Sequence, residues 1–171
     1  MLPEDVKGPD RAEFASWSRN YEADMLRLAI RLVADGDARD VVQSAWERAW
    51  QRREQYDPVR GSPRAWLLAI TASCAQDALR ARQRWFRRLA RTAAKPDVRS
   101  GPPDLEVDLD VNRACARLAP RQRLAVELFY FLDLSVREVA EVLGCSEGTA
   151  KSTLHDARAV LRTLLGDDDA D

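Results

Sequence analysis

The stretch SVREVAEVLGCSEGTAKSTLHDARAVL, Ser135–Leu161, decides the fold. Ser135 and Glu138 stand three apart at the head of an apolar periodicity. That is the pattern of a capping box, in which the serine oxygen accepts from the amide at Glu138 and the glutamate reaches back. Val136, Val139, Ala140 and Leu143 form the core face of this first helix, and Gly144 breaks it. Ser146 caps a second, longer helix with Ala150, Leu154, Ala157, Leu161 and Leu164 inward. Two helices joined by a short turn make a helix-turn-helix. Ala140 is small where the helices touch, Gly144 tolerates the tight turn, and Ala150 is a small apolar contact inside the second helix. Ser146, Glu147, Thr149, Lys151, Ser152, His155 and Arg158 then fall on or near the outer face, which is polar, rich in hydroxyls and suited to a major groove. A plain αα-hairpin is the bland alternative. Asp156 would repel phosphate unless it accepts from a cytosine amino group or points away.

Working outward, Pro120 opens a helix with Leu124, Leu128, Phe129 and Leu132 on its apolar side, and Val111–Leu118 reads as a short helix. Residues 96–110 hold Pro96, Gly101, Pro102, Pro103 and five acids, a composition that opposes packing and predicts a flexible linker. Fully stretched, it would reach about 50 Å. On its N-terminal side, Phe14, Trp17, Tyr21, Met25, Leu28 and Leu32 step by three or four in one helical stripe, which Gly36 ends. Asp37 is placed to cap the next helix, with Val41, Val42, Ala45, Trp46, Ala49 and Trp50 as its stripe. Tyr56–Gly61 reads as a turn. Ser62-Pro63 supplies a cap and a first-turn proline to a third helix that buries Trp66, Leu67, Ile70, Cys74 and Ala78 and runs on to about Arg91. No segment alternates with period two, so no strand is expected. The prediction is an all-α chain of two small helical domains, 14–95 and 111–165, joined by the linker 96–110, with a flexible N-terminus 1–13 and an acidic tail 166–171.

The chain has 171 residues, 46% of them hydrophobic and 32% charged, and a net charge of −1 that hides three blocks. Residues 1–59 carry −3, residues 60–95 carry +8 with Asp77 as the single acid, and residues 96–171 carry −6. The middle block is too one-sided for alternating helix salt bridges and reads as the footprint of a polyanion partner. Within it Arg80, Arg82, Arg84, Arg87, Arg88 and Arg91 surround Trp85-Phe86. Arginines grip phosphate and exposed rings stack on unpaired bases, so this pairing favours single-stranded or distorted DNA. Packing of Trp85 and Phe86 against the first helix or the linker is the competing reading, and Trp46, Trp50 and Trp66 read as core.

The composition also excludes. No apolar run approaches the roughly 18 residues that span a bilayer, and MLPEDVKGPD lacks the basic start and apolar stretch of a signal peptide. The expectation is a cytoplasmic chain without membrane insertion. Cys74, Cys115 and Cys145 are too scattered for a disulfide framework or a metal knuckle and read as small core residues. His155 is the one histidine, so multi-histidine catalysis and metal binding are not expected, nor is any cofactor. Neither a triad, a metal cluster nor a glycine-rich phosphate loop is legible, which makes an enzyme the weakest option.

Together these pieces resemble a bacterial sigma factor of the sigma-70 family in its minimal extracytoplasmic-function (ECF) form. DARDVVQSAWERAW, residues 37–50, resembles the helix that docks on the polymerase clamp. GSPRAWLLAITASCAQDALRARQR, residues 61–84, resembles the segment that melts and reads the −10 element. LAPRQRLAVELFYFLDLSVREVAEVLGCSEGTAKSTLHDAR, residues 118–158, resembles the region that reads the −35 element. The resemblance covers residues 14–92 and 111–165 as regions 2 and 4; regions 1.1 and 3 have no counterpart. It implies partners: core RNA polymerase through its clamp and flap, promoter DNA, and an anti-sigma factor. By it, Asp40, Gln43, Ser44 and Glu47 belong to the clamp-docking helix, with Asp40 and Gln43 on one face opposite much of the Trp46/Trp50 side. Tyr56, Arg60 and Ser62 fall in or beside the loop that captures a base flipped from the non-template strand, while Arg64, Arg80, Arg82, Arg84 and Trp85 would hold strand around the bubble. Lys151 and Ser152 match positions that meet the −35 element, with Arg158 on phosphate. The linker would run along the polymerase's basic product channel. The chain departs from the family pattern at Ser44, where an acid is usual, at Ala72-Ser73, where Arg-Asn is usual, and at Thr153 and Asp156, where basic residues are common. These departures bear on which promoter is read more than on the activity class.

A neutral chain of two modules binds DNA weakly by itself, and tethering on polymerase raises the effective concentration of each module at its site. Two other classes stay open at this point. One is a two-domain transcriptional regulator with a similar helix-turn-helix but no polymerase docking. The other is a structural adaptor binding proteins through amphipathic helices.

Overall fold

The computed structural model describes residues 8–33, 35–91 and 109–166. The described residues are mostly helical, and no strand occurs among them. Helices α1 (Arg11–Leu32), α2 (Asp35–Gln51) and α3 (Pro63–Arg91) pack on one another as the N-terminal module. Helices α4 (Leu109–Ala116), α5 (Pro120–Val126), α6 (Val136–Leu143) and α7 (Glu147–Gly166) make the C-terminal one.

Local chemistry sets most of the boundaries. Asp10 caps α1 by accepting from the Glu13 amide at 2.8 Å, so the helix begins at Arg11, inside the segment expected to be flexible. Ser62 accepts from the Ala65 amide at 3.1 Å and Pro63 occupies the first turn of α3, as the sequence predicts. Helix α2 starts earlier than expected. Gly36 lies in its first turn rather than ending α1, and Asp37 is an exposed helical residue paired with Arg82 at 3.6 Å rather than a cap. Glycine in a first turn is mild because the amides there have no intrahelical partner to lose. Helix α4 takes in Leu109 and Asp110, which the linker reading had claimed, with Asp110 near Arg113 at 3.6 Å. Residues 1–7, 92–108 and 167–171, which hold most of the predicted N-terminus, linker and tail, lie outside the described residues.

The helix-turn-helix forms as read. Ser135 accepts from the Glu138 amide at 3.3 Å and the Glu138 carboxylate accepts from the Ser135 amide at 2.9 Å. Gly144 ends α6 at φ +62°, a left-handed conformation that costs any residue with a Cβ. Ser146 caps α7 by accepting from the Thr149 amide at 3.1 Å, and Ala150, Leu154 and Ala157 are buried. The helix opened by Pro120 departs from the regular expectation. Past Val126 it widens into a π-helical turn, Glu127–Phe131, in which the Leu132 amide reaches the Glu127 carbonyl at 3.2 Å. The wider turn carries Glu127 into the interior, where it is 1% exposed.

The two modules are packed together. Trp17, Met25, Leu28, Leu67 and Leu68 from one, and Leu124, Leu128, Leu132, Val139 and Leu154 from the other, belong to a single buried apolar cluster. Helix α6 lies along α3, and α1 meets the π-helical turn. A smaller cluster of Cys115, Leu118, Val126 and Ala157 joins α4 to α5 and α7. An ion pair buried between the modules joins Arg31 of α1 to Glu127, with side chains 7% and 1% exposed. Arg31 also donates to Asn112 of α4 at 3.1 Å and lies over the Phe131 ring, while Arg123 donates to the Arg31 carbonyl. Burial pushes the Glu127 carboxyl above the ordinary glutamate range, and Arg31 and Arg123 pull it back.

Candidate nucleic-acid interface

Four surfaces carry the residues singled out from the sequence. The first is the outer side of α7. Glu147, Thr149, Lys151, Ser152, His155 and Arg158 are all exposed there, together with the cap Ser146. Its hydroxyls are held by the helix itself: Ser146 and Thr149 share a hydrogen bond at 2.9 Å, and Ser152 and Thr153 donate to the Thr149 carbonyl at 3.0 and 2.8 Å. Asp156 is exposed on the same helix. Buried Ala150 and Leu154 set this orientation, because at 3.6 residues per turn their burial turns Ser152 and His155 outward.

The second surface is the far end of α3. Arg80 and Arg84 are exposed, and Trp85 is 55% exposed, its ring edge-to-face with Phe86 at 5.0 Å. Arg82 is half-buried between Asp37 and the Phe86 ring. Trp85 and Phe86 border a groove between α2 and α3, with Asp40, Ser44, Arg48 and Asp77 on its other flank. Arg48 ties this flank together, donating to Asp77 at 3.1 Å and to Ser73 at 3.2 Å. Ser73, one of the departures from the family pattern, is thus part of an α2–α3 contact, and Ala72 is buried.

The third surface is the outer face of α2. Asp40, Gln43, Ser44 and Glu47 are all exposed along one ridge, and Gln43 donates to Glu47 at 3.2 Å. The ridge has two flanks. Asp40 and Ser44 border the α3 groove, whereas Gln43 and Glu47 border a groove of about 480 Å³ with Leu26, Val42 and Trp46. Gln43 and Trp46 therefore share a groove, which corrects the expectation that they stand on opposite sides. The reason is that Trp46 leans toward α1, edge-on to Phe14 at 5.6 Å, rather than into the core centre. Its indole N–H is buried without a hydrogen-bond partner.

The fourth surface, the segment from Tyr56 to Arg64, is partly engaged: Pro58, Val59 and Arg60 are exposed, while Tyr56, Ser62 and Arg64 make internal contacts. Tyr56 was expected to contact DNA; it is instead only 9% exposed, edge-on to Trp17 at 5.0 Å and tilted against Trp66 at 5.5 Å. Its hydroxyl donates to the Gly61 carbonyl at 3.2 Å and pins the loop, and burial raises its pKa. A tyrosine preceding a tight turn is more use to the core than to solvent, because its ring is a large apolar payload and its hydroxyl can close the turn. Ser62 is spent on the α3 cap, and its amide donates to Glu141 of α6 at 3.3 Å. Arg64 is held at 2.7 Å by Asp24 of α1, donates to the Leu132 carbonyl at 3.1 Å, and has Glu138 of α6 at 3.7 Å. Arg60 stays exposed beside a cleft of about 580 Å³ between the modules, lined by Tyr56, Gly61, Trp66, Glu141 and Glu147. So Tyr56, Ser62 and Arg64 make internal contacts instead of presenting themselves, a correction to their expected placement.

Sequence reasoning missed Arg31, Glu127 and Glu141. Glu127 had a signal: it is the one charged residue between Arg123 and Asp133, in an otherwise apolar run. An acid at such a place needs a buried cation. Arg31 had none, since its partners come from the other module, and Glu141 reads as an ordinary helix pair with Arg137, at 3.2 Å, while its contact with Ser62 crosses between the modules. Among the described residues, no group of three or more His, Cys, Asp or Glu side chains could hold a metal ion, and none of the helices is long and apolar enough to cross a membrane. Cys74 and Cys115 are buried thiols whose pKa values are raised by that burial.

Comparison with known proteins matches these surfaces to a family. Residues 17–94 match the model of sigma-70 region 2, and residues 108–161 match that of sigma-70 region 4. The ECF RNA polymerase sigma factor SigL of Mycobacterium tuberculosis is 32% identical over 169 residues, 94% of each chain. The ECF RNA polymerase sigma factor SigK of Mycobacterium bovis is 31% identical over 167 residues, 94% of this chain and 89% of that one. Among solved structures, CnrH in complex with the cytosolic domain of CnrY aligns with a TM-score of 0.67 at 26% identity, covering 93% of this chain and 91% of that one. The sigma factor RpoE in complex with the anti-sigma factor NepR, from Bartonella quintana, aligns with a TM-score of 0.62 at 25% identity, covering 90% and 96%. With both regions matched in order and relatives alike along nearly their whole length, the chain belongs to the sigma-70 family and is of the ECF type.

Proposed function

We propose that residues 14–95 dock on the polymerase clamp and hold the opened −10 strand, while residues 111–165 read the −35 duplex. As a member of its family, the chain is a transcription-initiation factor rather than an enzyme: it joins core RNA polymerase and directs it to promoters. A helix-turn-helix regulator independent of polymerase is not favoured, because the N-terminal half matches region 2 rather than a sensor.

The observation that carries the residue assignment is the pair of polar faces left open on the two modules. On α2, Asp40, Gln43, Ser44 and Glu47 form one exposed polar ridge, which suits a docking helix. On α7, Lys151, Ser152, His155 and Arg158 face solvent over the length of a recognition helix. Arg80, Arg84 and Trp85 at the end of α3 supply phosphate grips and a stacking ring for the separated strand. Good base contacts in the groove contribute about 1–3 kcal/mol each, and unstacking a base costs a few kcal/mol, which ring and arginine contacts offset. The solved relatives' complexes with CnrY and with the anti-sigma factor NepR support an anti-sigma partner for this chain also. Action is in the cytoplasm with the polymerase, and on the nucleoid as holoenzyme.

The test is run-off transcription with core polymerase on a library of promoter fragments, with the chain, without it, and with Lys151→Ala. The reading requires promoter-specific transcripts that appear only with the chain and lose intensity at Lys151→Ala. Failure of the chain to co-purify with core polymerase would overturn it.

A further inference from the structure

We propose that the outer face of α7 is divided lengthwise: a cationic strip follows phosphate, and an acceptor strip of Thr149, Ser152 and Asp156 selects base pairs that turn an exocyclic amino group toward it. This rests on the −35 assignment made above and names the feature of the duplex that α7 reads.

Burial fixes the rotation of the helix. Ala150, Leu154 and Ala157 are buried, so the opposite side of α7 is open. That side is not uniform. Lys151, His155, Arg158 and Arg162 step by four, three and four residues, share one line along the helix, and are all exposed. Thr149, Ser152 and Asp156 step by three and four and form a second exposed line. At 3.6 residues per turn, Asp156 lies roughly 120–160° round the helix from Lys151, Arg158 and Arg162. Among the described residues, none of these four charged side chains forms an ion pair.

The hydroxyl hydrogens of the second line are already committed. Ser152 donates to the Thr149 carbonyl at 3.0 Å, as does its neighbour Thr153 at 2.8 Å, and Thr149 and Ser146 share a hydrogen at 2.9 Å. A hydroxyl has one hydrogen and two lone pairs, so Ser152 keeps only acceptor capacity toward a ligand; the Asp156 carboxylate accepts only. Such a strip repels phosphate and the keto oxygens of guanine and thymine. It complements adenine N6 and cytosine N4, the donors of the major groove. Every base pair carries one such amino group there, on one strand or the other. The strip therefore sorts pairs by which strand holds the amino base, taking A·T and C·G and rejecting T·A and G·C. The lysine and arginines of the first line meet phosphate, which positions the helix and carries no sequence information. An acid on a DNA-facing helix thus has a role, that of reader, at a distance from the backbone contacts.

The experiment is run-off transcription by holoenzyme, formed from core polymerase and the full chain, on a promoter library with the −35 segment randomised. The unaltered chain, Asp156→Ala and Lys151→Ala are compared. With the unaltered chain, transcripts are expected to favour adenine and cytosine over guanine and thymine about fivefold or more, on one strand, at one −35 position at least. Asp156→Ala is expected to bring that ratio below twofold and leave preferences elsewhere in place. Lys151→Ala is expected to lower transcript yield and keep the ratio. A ratio retained in Asp156→Ala, a ratio lost equally in Lys151→Ala, or preferences that never follow the amino–keto division overturn the proposal. Transcripts indifferent to the whole −35 segment, or absent with the unaltered chain, would instead strike the functional reading on which it rests.

A second measurement removes the amino group in place of the acceptor. At the position found, the adenine or cytosine of a labelled −35 duplex is replaced by its analogue without the exocyclic amino group, and holoenzyme binding is measured. The replacement is expected to weaken binding about fivefold or more with the unaltered chain and less than twofold with Asp156→Ala. Equal losses with the two chains mean that the amino group does not meet the carboxylate, and the proposal falls.

Discussion

Helix α7 and the Tyr56–Arg64 segment treat their polar groups in opposite ways. On α7 every serine and threonine hydrogen bond runs within four residues, so the face is complete before any other helix arrives. Around Tyr56–Arg64 the Tyr56 and Ser62 hydroxyls also bond locally, to Gly61 and Ala65, but the Ser62 amide and Arg64 are engaged by partners from α1, α6 and the end of the π-helical turn, as far as 79 residues away in sequence. The first surface is a property of one helix. The second depends in part on the meeting of two modules, since Glu138, Glu141 and Leu132 come from the C-terminal one while Asp24 belongs to the same module as Arg64.

The largest effect that would separate the two is at the module interface. Arg31→Ala takes the nearer cation from the buried Glu127 carboxyl and leaves it only Arg123, 3.8 Å away, and breaking a buried pair in this way costs about 3–5 kcal/mol. The urea midpoint should fall sharply, and fluorescence energy transfer between labels on α2 and α7 should drop at urea concentrations where helical circular dichroism is still intact. A single, coincident loss of both signals would mean that the modules do not part independently.

On α7 the effects are local. Lys151→Ala should weaken −35 fragment binding by the holoenzyme and lower the slope of log affinity against log salt by about one if it meets phosphate. It should leave the melting temperature unchanged, because its side chain is exposed. Gly144→Ala should cost about 1–2 kcal/mol, read as a lower chemical-denaturation midpoint, because φ +62° forces a Cβ into the left-handed region. Ser146→Ala should cost about 1 kcal/mol through the lost cap.

The smallest expected effect is on pH. Partial burial would raise the Glu138 carboxyl, but the Ser135 backbone and hydroxyl and Arg64 together hold it below the ordinary range. A carboxylate lowered on folding contributes stability that is present above its unfolded pKa, about 4.3, and is lost as pH falls through the folded value. Lowering pH from 6 toward 3 should therefore remove a contribution that Glu138→Gln lacks at every pH, and the two thermal-stability profiles should converge at the acid end.

Much of the architecture was legible because it is local. Capping at Ser62, Ser135 and Ser146, the break at Gly144 and the inward stripe Ala150-Leu154-Ala157 each depend on residues a turn or two apart. The exposed candidates on α2, α7 and the end of α3 follow from the same periodicity. What failed was the fate of Tyr56, Ser62 and Arg64, and the start of α2. The basic block at 60–95 was read as addressed to a polyanion, and Arg64 is answered within the chain by Asp24 and Glu138. Sequence spacing shows which residues share a helix face; it does not show which distant helix will lie against it. The π-helical turn escaped for a related reason, since its apolar run fits an ordinary helix equally well and only the Arg31 contact explains the inward acid.

The ion pair between Arg31 and Glu127 has a bearing on how readily the halves come apart. An all-hydrocarbon seam would hold tightly and leave a sticky wound on opening. Here part of the seam is two charges that water welcomes back once they are released, so their desolvation offsets much of their mutual attraction while the seam is closed. Such a joint is fussy about its alignment yet undemanding to undo.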